Sequence, residues 1–486
     1  EQMRTGFPQR IVPDSDSAGA GMWLAARNGA QPDGSPLSQA LQVCAEALGR
    51  QALSNRAAQR LDRFMPALLQ DLIEARHPEP VLKDLFDLVL AISRRSAYLS
   101  LLVQNPAALD RMVALFAASD WIAATVIRHP ALLDELIDPA LGRWLPDREE
   151  MDQTLRRMMR SHGDPETALS NLNHVKLAFT LRIAVAELEN MISAQRVQRS
   201  LTDLAECVIE SCYQLALEEV RSRHGALPGP GLGIVGYGSL GAAELGYASD
   251  LDLIFLYTDR SGPSDGPRPL AREAWFIKLA RRLLSYLTAL TPSGRLYEVD
   301  TRLRPNGRAG LLVSSLSAFE SYQMDKAWTW ELQALCRGRP CAGDPGIGVS
   351  FSKIRKSALA RPRDEAETRD QILDMRQRWR EVHPDGDPLK FGDGGLIDIG
   401  FVAQLGVLLN AASHPQVLED SGTPEQLEAL VSAGWLTRVQ HETLSRAYQS
   451  LTRRAHMGLL QREAPDQLPA DPACAELCRA LLGGPD

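Results

Sequence analysis

Gly236-Tyr-Gly-Ser-Leu-Gly-Ala-Ala-Glu244-Leu-Gly-Tyr-Ala-Ser-Asp250-Leu-Asp252-Leu-Ile-Phe255 is the stretch whose reading decides the fold. An apolar lead-in, Ile234-Val235, runs into a glycine–serine turn, and the chain re-emerges as an apolar run carrying Asp250 and Asp252. In a strand the side-chain period is two, so the two carboxylates share one face and Leu251, Leu253 and Phe255 take the other. Carboxylates held side by side repel each other unless a cation neutralises them. Magnesium suits that role, because it is usually bound by one or two carboxylates together with substrate phosphates. A third carboxylate from a neighbouring strand would complete a two-metal clamp for in-line displacement at phosphorus. Asp300, in the strand-like run Leu296 to Thr301, is the candidate; Glu298 shares its face and competes with it. Gly236, Gly238 and Gly241 let the backbone turn tightly and approach phosphate oxygens, with Ser239 beside them.

Each part alone has a plainer explanation. An Asp-x-Asp pair is common on a solvated strand face, and a glycine cluster is usually a turn. Their order carries the weight: apolar strand, glycine–serine turn, helix, Asp-x-Asp strand, long helix, third-carboxylate strand. The pattern Gly238-Ser239, Asp250-x-Asp252, Asp300 resembles the DNA polymerase β-like nucleotidyltransferase superfamily. Longer strings are narrower. The run from Gly236 to Asp252, Tyr297-Glu-Val-Asp-Thr-Arg-Leu-Arg-Pro305 and Ala327-Trp-Thr-Trp-Glu331-Leu-Gln-Ala-Leu335 resemble the bifunctional glutamine synthetase adenylyltransferase/adenylyl-removing family, in its carboxy-terminal, adenylylating half. The chain departs from that pattern at Leu332, where histidine is usual, and at Gly338, where alanine is usual.

The chain has 486 residues and a formal net charge of -8, which gives no electrostatic support to a nucleic-acid partner. Only 7 of its 53 basic residues are lysine, and arginine-rich codon usage explains that better than special arginine chemistry. The 7 cysteines lack zinc-site spacing, which suits reduced thiols in a cytoplasmic protein. No signal peptide or apolar run of membrane-spanning length is expected, and so no membrane partner. The sequence opens on Glu1 and holds one Asp-x-Asp centre of this kind, as expected for part of a longer two-half enzyme.

The expected fold is α+β, multidomain and mostly helical. A loose leader occupies 1–35 and a helical linker or docking domain 36–228. A polymerase β-like α/β core with a small mixed sheet spans 229–345, and a C-terminal helical bundle 346–486. The segment Leu227-Pro-Gly-Pro-Gly231 marks the switch from helical to strand periodicity. Leu82, Leu85, Phe86, Val89 and Ile92 share a helical face, as do Trp275, Leu279, Leu283 and Leu287. Trp328 and Trp330, at their spacing, read as core rather than as a nucleotide stack.

Arg302 and Arg304 fall on the face of Asp300 if the strand alternates. They could hold nucleotide phosphates, or form salt bridges to the acidic cluster. Lys390, with Gly394-Gly395 and Asp398, could form a phosphate- or base-contacting loop at a helix start. Gly400 stands there in place of the family's glutamate. The resemblance implies AMP transfer from ATP to a tyrosine of glutamine synthetase with release of pyrophosphate. Asp250, Asp252 and Asp300 would be the catalytic magnesium ligands, and Gly238, Ser239, Arg302, Arg304 and Lys390 the nucleotide contacts. It also implies the PII signalling protein as a partner. Phosphorolytic removal of AMP from adenylylated glutamine synthetase, or a copy that senses nucleotide or partner without turnover, are the alternatives.

Overall fold

The computed structural model describes residues 36–49, 78–92, 105–138, 145–160, 164–260, 262–384, 386–463 and 470–483, with isolated positions before residue 99. The leader read over 1–35 lies outside the described residues apart from four positions, of which Trp23 is buried. The chain forms two compact units. One comprises Glu1–Leu145, Ala184–Met191 and Met457–Pro465; the other comprises Pro146–Ile183, Ile192–His456 and Asp466–Asp486.

The first unit contains α1 (Pro36–Gly49), α2 (Pro78–Ile92), α3 (Pro106–Ala118), α4 (Asp120–Arg128) and α5 (Leu133–Ile137). Pro106 opens α3, where a missing N–H costs nothing. The Ser119 hydroxyl caps α4 by accepting from Ile122 N at 3.1 Å. The apolar face of α2 is buried at Leu82, Leu85, Phe86, Val89 and Ile92. Each such side chain contributes about 1.5–3 kcal/mol by leaving water. Arg462 fastens the unit, pairing with Asp84 and Asp120 and donating to the Phe116 carbonyl at 2.9 Å.

The second unit starts with α6 (Arg148–Arg160), the greater part of α7 (Pro165–Leu188) and α8 (Ala194–His224). Then come β1 (Gly233–Tyr237), the one-turn α9 (Gly238–Gly241), β2 (Leu251–Tyr257), α10 (Arg272–Thr288), β3 (Val299–Asp300), β4 (Val313–Ser315), α11 (Leu316–Asp325), α12 (Thr329–Cys336) and β5 (Arg339–Gly343). The five-stranded sheet has the order β3-β2-β1-β5, with β4 also on β2. β1 is antiparallel to β2 and β5, while β3 and β4 run parallel to β2. The α10 stripe Trp275, Leu279, Leu283 and Leu287 is buried, and α10 packs on α8. β3 is shorter than the expected 296–301 strand. Past Asp300 the chain breaks into turns, with Asn306 and Gly307 both left-handed at φ 60° and 53°.

The rest of this unit is helical: α13 (Pro345–Leu359), α14 (Glu365–Val382), α15 (Pro388–Phe391), α16 (Leu396–Asn410), α17 (Thr423–Ser432), α18 (Arg438–Leu460, of which Met457 onward lies in the first unit) and α19 (Pro472–Leu482). A single apolar core runs from Val235, Tyr237 and Ile254 in the sheet through Phe351 and Ile399 to Leu444 and Cys474. The sheet and the C-terminal helices are therefore not packed as independent cores. The segment 388–410 is long and apolar enough to cross a membrane, with a mean hydropathy of 1.4, contrary to the sequence expectation. It is broken by Gly392–Gly395 and 67% of its apolar window is buried, as in a core helix.

Candidate active site

The site is assembled at the ends of β1, β2 and β3. Antiparallel pairing sets Tyr237 against Asp252, and parallel pairing sets Asp252 against Asp300. Asp250 is exposed one residue before β2 begins. Its neighbour Leu251 donates its N–H to the Glu298 carbonyl at 3.0 Å, which holds β3 in this register. Gly238 follows β1 with φ +54°, in the left-handed region. A Cβ there would stand 2.2 Å from Oδ2 of Asp252, so glycine is required both by conformation and by the approach of the turn to the carboxylate. Ser239 lies in the same turn, its carbonyl accepting from Glu244 N at 2.8 Å.

Burial, then the charges of Asp250 and Asp300, push the Asp252 carboxyl up to about 7. Arg337 and Arg302 pull the other way without cancelling this. Asp300 behaves oppositely. Burial would raise it, but the hydrogen bonds and charge of Arg302 hold it below the usual carboxylate range. Arg302 donates its backbone N–H to Oδ1 at 2.8 Å and Nε–H to Oδ2 at 2.6 Å. Among the described residues no group of three His, Cys, Asp or Glu side chains is arranged to hold a metal ion. Arg302 occupies both oxygens that Asp300 would contribute.

The other residues singled out from sequence are distributed as follows. Arg304 does not alternate onto the face of Asp300, because the strand has ended. Its guanidinium staples the following loop, donating to the carbonyls of Thr301 (2.6 Å), Gly310 (3.2 Å) and Arg308 (3.3 Å). Glu298 pairs with Arg295 and points into solvent. Lys390 is exposed, its Nζ 5.3 Å from the Phe391 ring centre. Asp398 is buried and takes Arg376 on both oxygens, at 2.6 and 2.5 Å, plus the Gly394 N–H at 2.9 Å. The glycine loop after Lys390 is thus closed by its own ion pair, and a Cβ at Gly394 would meet Ala475 N at 2.7 Å. Around Gly400 the nearest neighbours, Arg337 Nη1 and Gln404 Nε2, are 3.8 Å from a notional Cβ.

Trp328 and Trp330 are not core. They are 70% and 39% exposed, because α12 turns Leu332, Leu335 and Glu331 inward instead. Glu331 accepts from Tyr322 Oη at 2.9 Å and from Trp328 N at 3.0 Å, fixing the start of the helix.

A group that sequence reading missed stands behind the glycine turn. Arg337 donates Nε–H to the Gly238 carbonyl at 3.2 Å, pairs with Glu244 at 2.7 Å and reaches Thr423 Oγ1 at 3.3 Å. Glu244 also accepts from Thr423 N. Arg339 donates to the carbonyls of Gly241 (3.2 Å) and Leu240 (3.3 Å), and Ser421 Oγ donates to Gly241 at 2.7 Å. Two arginines at a spacing of two, Arg337 and Arg339, were the available signal; nothing local connects them to residues about a hundred positions away.

With this geometry in view, residues 109–354 match the family model of glutamate–ammonia ligase adenylyltransferases. The chain belongs to that family. Residues 366–484 of this adenylyltransferase-family chain match a second model, that of the GlnD PII-uridylyltransferases. The chain is 41% identical over 449 residues to a protein of Xanthomonas axonopodis pv. citri, covering 91% of this chain and 47% of that one. It is 38% identical over 455 residues to one of Stenotrophomonas maltophilia, covering 92% and 49%. It is 41% identical over 438 residues to one of Methylococcus capsulatus, covering 86% and 46%. All three bear the name bifunctional glutamine synthetase adenylyltransferase/adenylyl-removing enzyme. The chain spans about half the length of the curated relatives it matches.

Proposed function

We propose that this chain transfers AMP from ATP to a tyrosine hydroxyl of glutamine synthetase. The observation that carries the reading is the register that sets Asp252 beside Asp300, with Gly238 closing on Asp252 from the turn that follows β1. The phenolic oxygen attacks the α-phosphorus, the bond to the β-phosphate breaks, and pyrophosphate leaves with that bond's electron pair. Gly238 and Ser239 offer backbone to the triphosphate. Asp300 is the candidate acceptor for the phenol proton once Arg302, whose hydrogen bonds hold its carboxyl low, has released it.

The residues fit magnesium. The donors are all oxygen, and the Asp252 carboxyl, raised first by burial and then by the charges of Asp250 and Asp300, sits where a cation would favour its ionised form. Asp250 and Asp252 would hold the ion, with Asp300 joining once Arg302 yields an oxygen. When bound, magnesium supplies charge neutralisation and Lewis-acid polarisation at the phosphoryl group. Arg302, exposed beside the cluster, is placed to move from Asp300 to a phosphate.

A second reading, removal of AMP by phosphorolysis, is supported by the relatives' bifunctional name. The uridylyltransferase-like match over 366–484 supports the PII protein as a regulator. Incubation of purified glutamine synthetase with α-labelled ATP and magnesium tests the proposal. Incorporation by the parent chain and none by the Asp250→Ala/Asp252→Ala variant supports it. Release of AMP from pre-modified glutamine synthetase on adding phosphate, without incorporation, reverses it.

A further inference from the structure

The one-turn helix α9 is gripped from behind. Its carbonyls at Gly238, Leu240 and Gly241 accept from Arg337, Arg339 and Ser421, which come from the α12–β5 corner and from the entry to α17. In a trans peptide the carbonyl and the next N–H point in opposite directions. Pinning the Gly238 carbonyl to Arg337 therefore turns the Ser239 N–H away from Arg337. Arg337 is itself held in place. Glu244, 9% exposed, takes its other edge and in turn accepts the backbone N–H of Thr423. Gln198 joins the far side, donating to the Glu244 carbonyl and to Tyr448 Oη, both at 3.4 Å. Ser421 and Thr423 lie within 366–484, the segment that matches a different family model from the turn they hold.

We infer that Arg337, Ser421 and Thr423 form a positioning clamp through which the C-terminal helical region sets the orientation of the Gly238–Ser239 turn, and with it the affinity for the nucleotide triphosphate. This rests on the nucleotidyl-transfer reading of the turn. None of these three residues reaches the reacting atoms. They act through the backbone of α9, and a shift of the 421–423 corner would be felt at the nucleotide before it was felt at the acceptor.

The test uses the whole chain with magnesium–ATP as the probe, reading the Kd for ATP by calorimetry, KM against kcat for AMP incorporation, and the melting temperature. Thr423→Val and Ser421→Ala each remove one hydroxyl hydrogen bond, and each is expected to weaken ATP about five- to tenfold, through KM rather than kcat. Arg337→Lys keeps a charge for Glu244 but loses the fork that reaches Gly238 and Thr423 together. It is expected to restore the melting temperature lost in Arg337→Met without restoring ATP affinity, a split that a merely structural role would not give. ATP affinity within about twofold of the parent in folded Thr423→Val and Arg337→Lys overturns the clamp. If Arg337→Met does not fold, the Ser421→Ala/Thr423→Val double variant decides. If the parent binds ATP but labels no glutamine synthetase, while Thr423→Val still weakens ATP, the acceptor is wrong and the clamp stands. If the parent binds no ATP, the clamp falls with the reading beneath it.

Discussion

Replacing Asp252 by asparagine should stabilise the metal-free protein while abolishing the proposed AMP transfer. Asp252 is mostly buried beside two other carboxylates, and its carboxyl moves from 3.8 to about 7. At about 1.36 kcal/mol per pH unit, that sets an upper bound of about 4 kcal/mol of disfavoured charge in the folded state. Relaxation and entry of water reduce it, so a gain of about 2 kcal/mol is expected from Asp252→Asn. The sign follows from linkage. A carboxyl raised on folding leaves stability intact below about pH 3.8 and lowers it progressively as pH rises toward about 7. The variant should therefore match the parent near pH 4 and exceed it at pH 8. The assay is thermal melting in chelator at both pH values, with hydrogen exchange along β2 to localise the effect. Added magnesium should narrow the gap at pH 8, because only the parent keeps the charged carboxylate that favours the ion. A variant less stable than the parent at pH 8 in chelator, or a gap unchanged between pH 4 and 8, would refute the idea that burial and the neighbouring carboxylates disfavour the Asp252 charge.

The remaining predictions are simpler. Arg376→Met leaves buried Asp398 without its bidentate partner and should cost about 3–5 kcal/mol, read as loss of exchange protection in α16. Burial lowers the Lys176 ammonium to about 8, so the parent should gain stability between about pH 8 and 10.5, where the unfolded chain still holds that proton. Lys176→Met should flatten that rise in a pH-dependent melting series. Trp328→Ala, at a position 70% exposed, should change stability by less than about 0.5 kcal/mol. Glu331→Ala loses two hydrogen bonds at the start of α12 and should cost about 1–3 kcal/mol in the same denaturation assay.

The strands and the turn around the candidate site were legible because their signals are local. An apolar strand, a glycine turn and a second apolar strand lie within about twenty residues, and β1 and β2 form where those apolar runs predict them, with Asp252 in β2 and Asp250 one residue before it. The apolar faces of α2 and α10 were legible for the same reason: burial follows a repeat written in neighbouring residues. Extrapolating periodicity beyond an element's end did not work. Alternation from Asp300 to Arg304 assumed a strand that stops at Asp300, and spacing alone put Trp328 and Trp330 inside a helix face that instead presents them to solvent.

By itself, then, the sequence determined the element order around Gly236–Asp252 and the family resemblance. Only the tertiary structure decided which partner each charge takes. Arg302 closes on Asp300, Arg376 on Asp398, and Arg337 on Glu244 and the Gly238 carbonyl. The physical reason is range. A side-chain period is fixed by the backbone within a few residues, whereas a buried guanidinium is satisfied by whatever acceptors the folded chain brings to it, 93 residues away for Glu244 and 99 for Gly238.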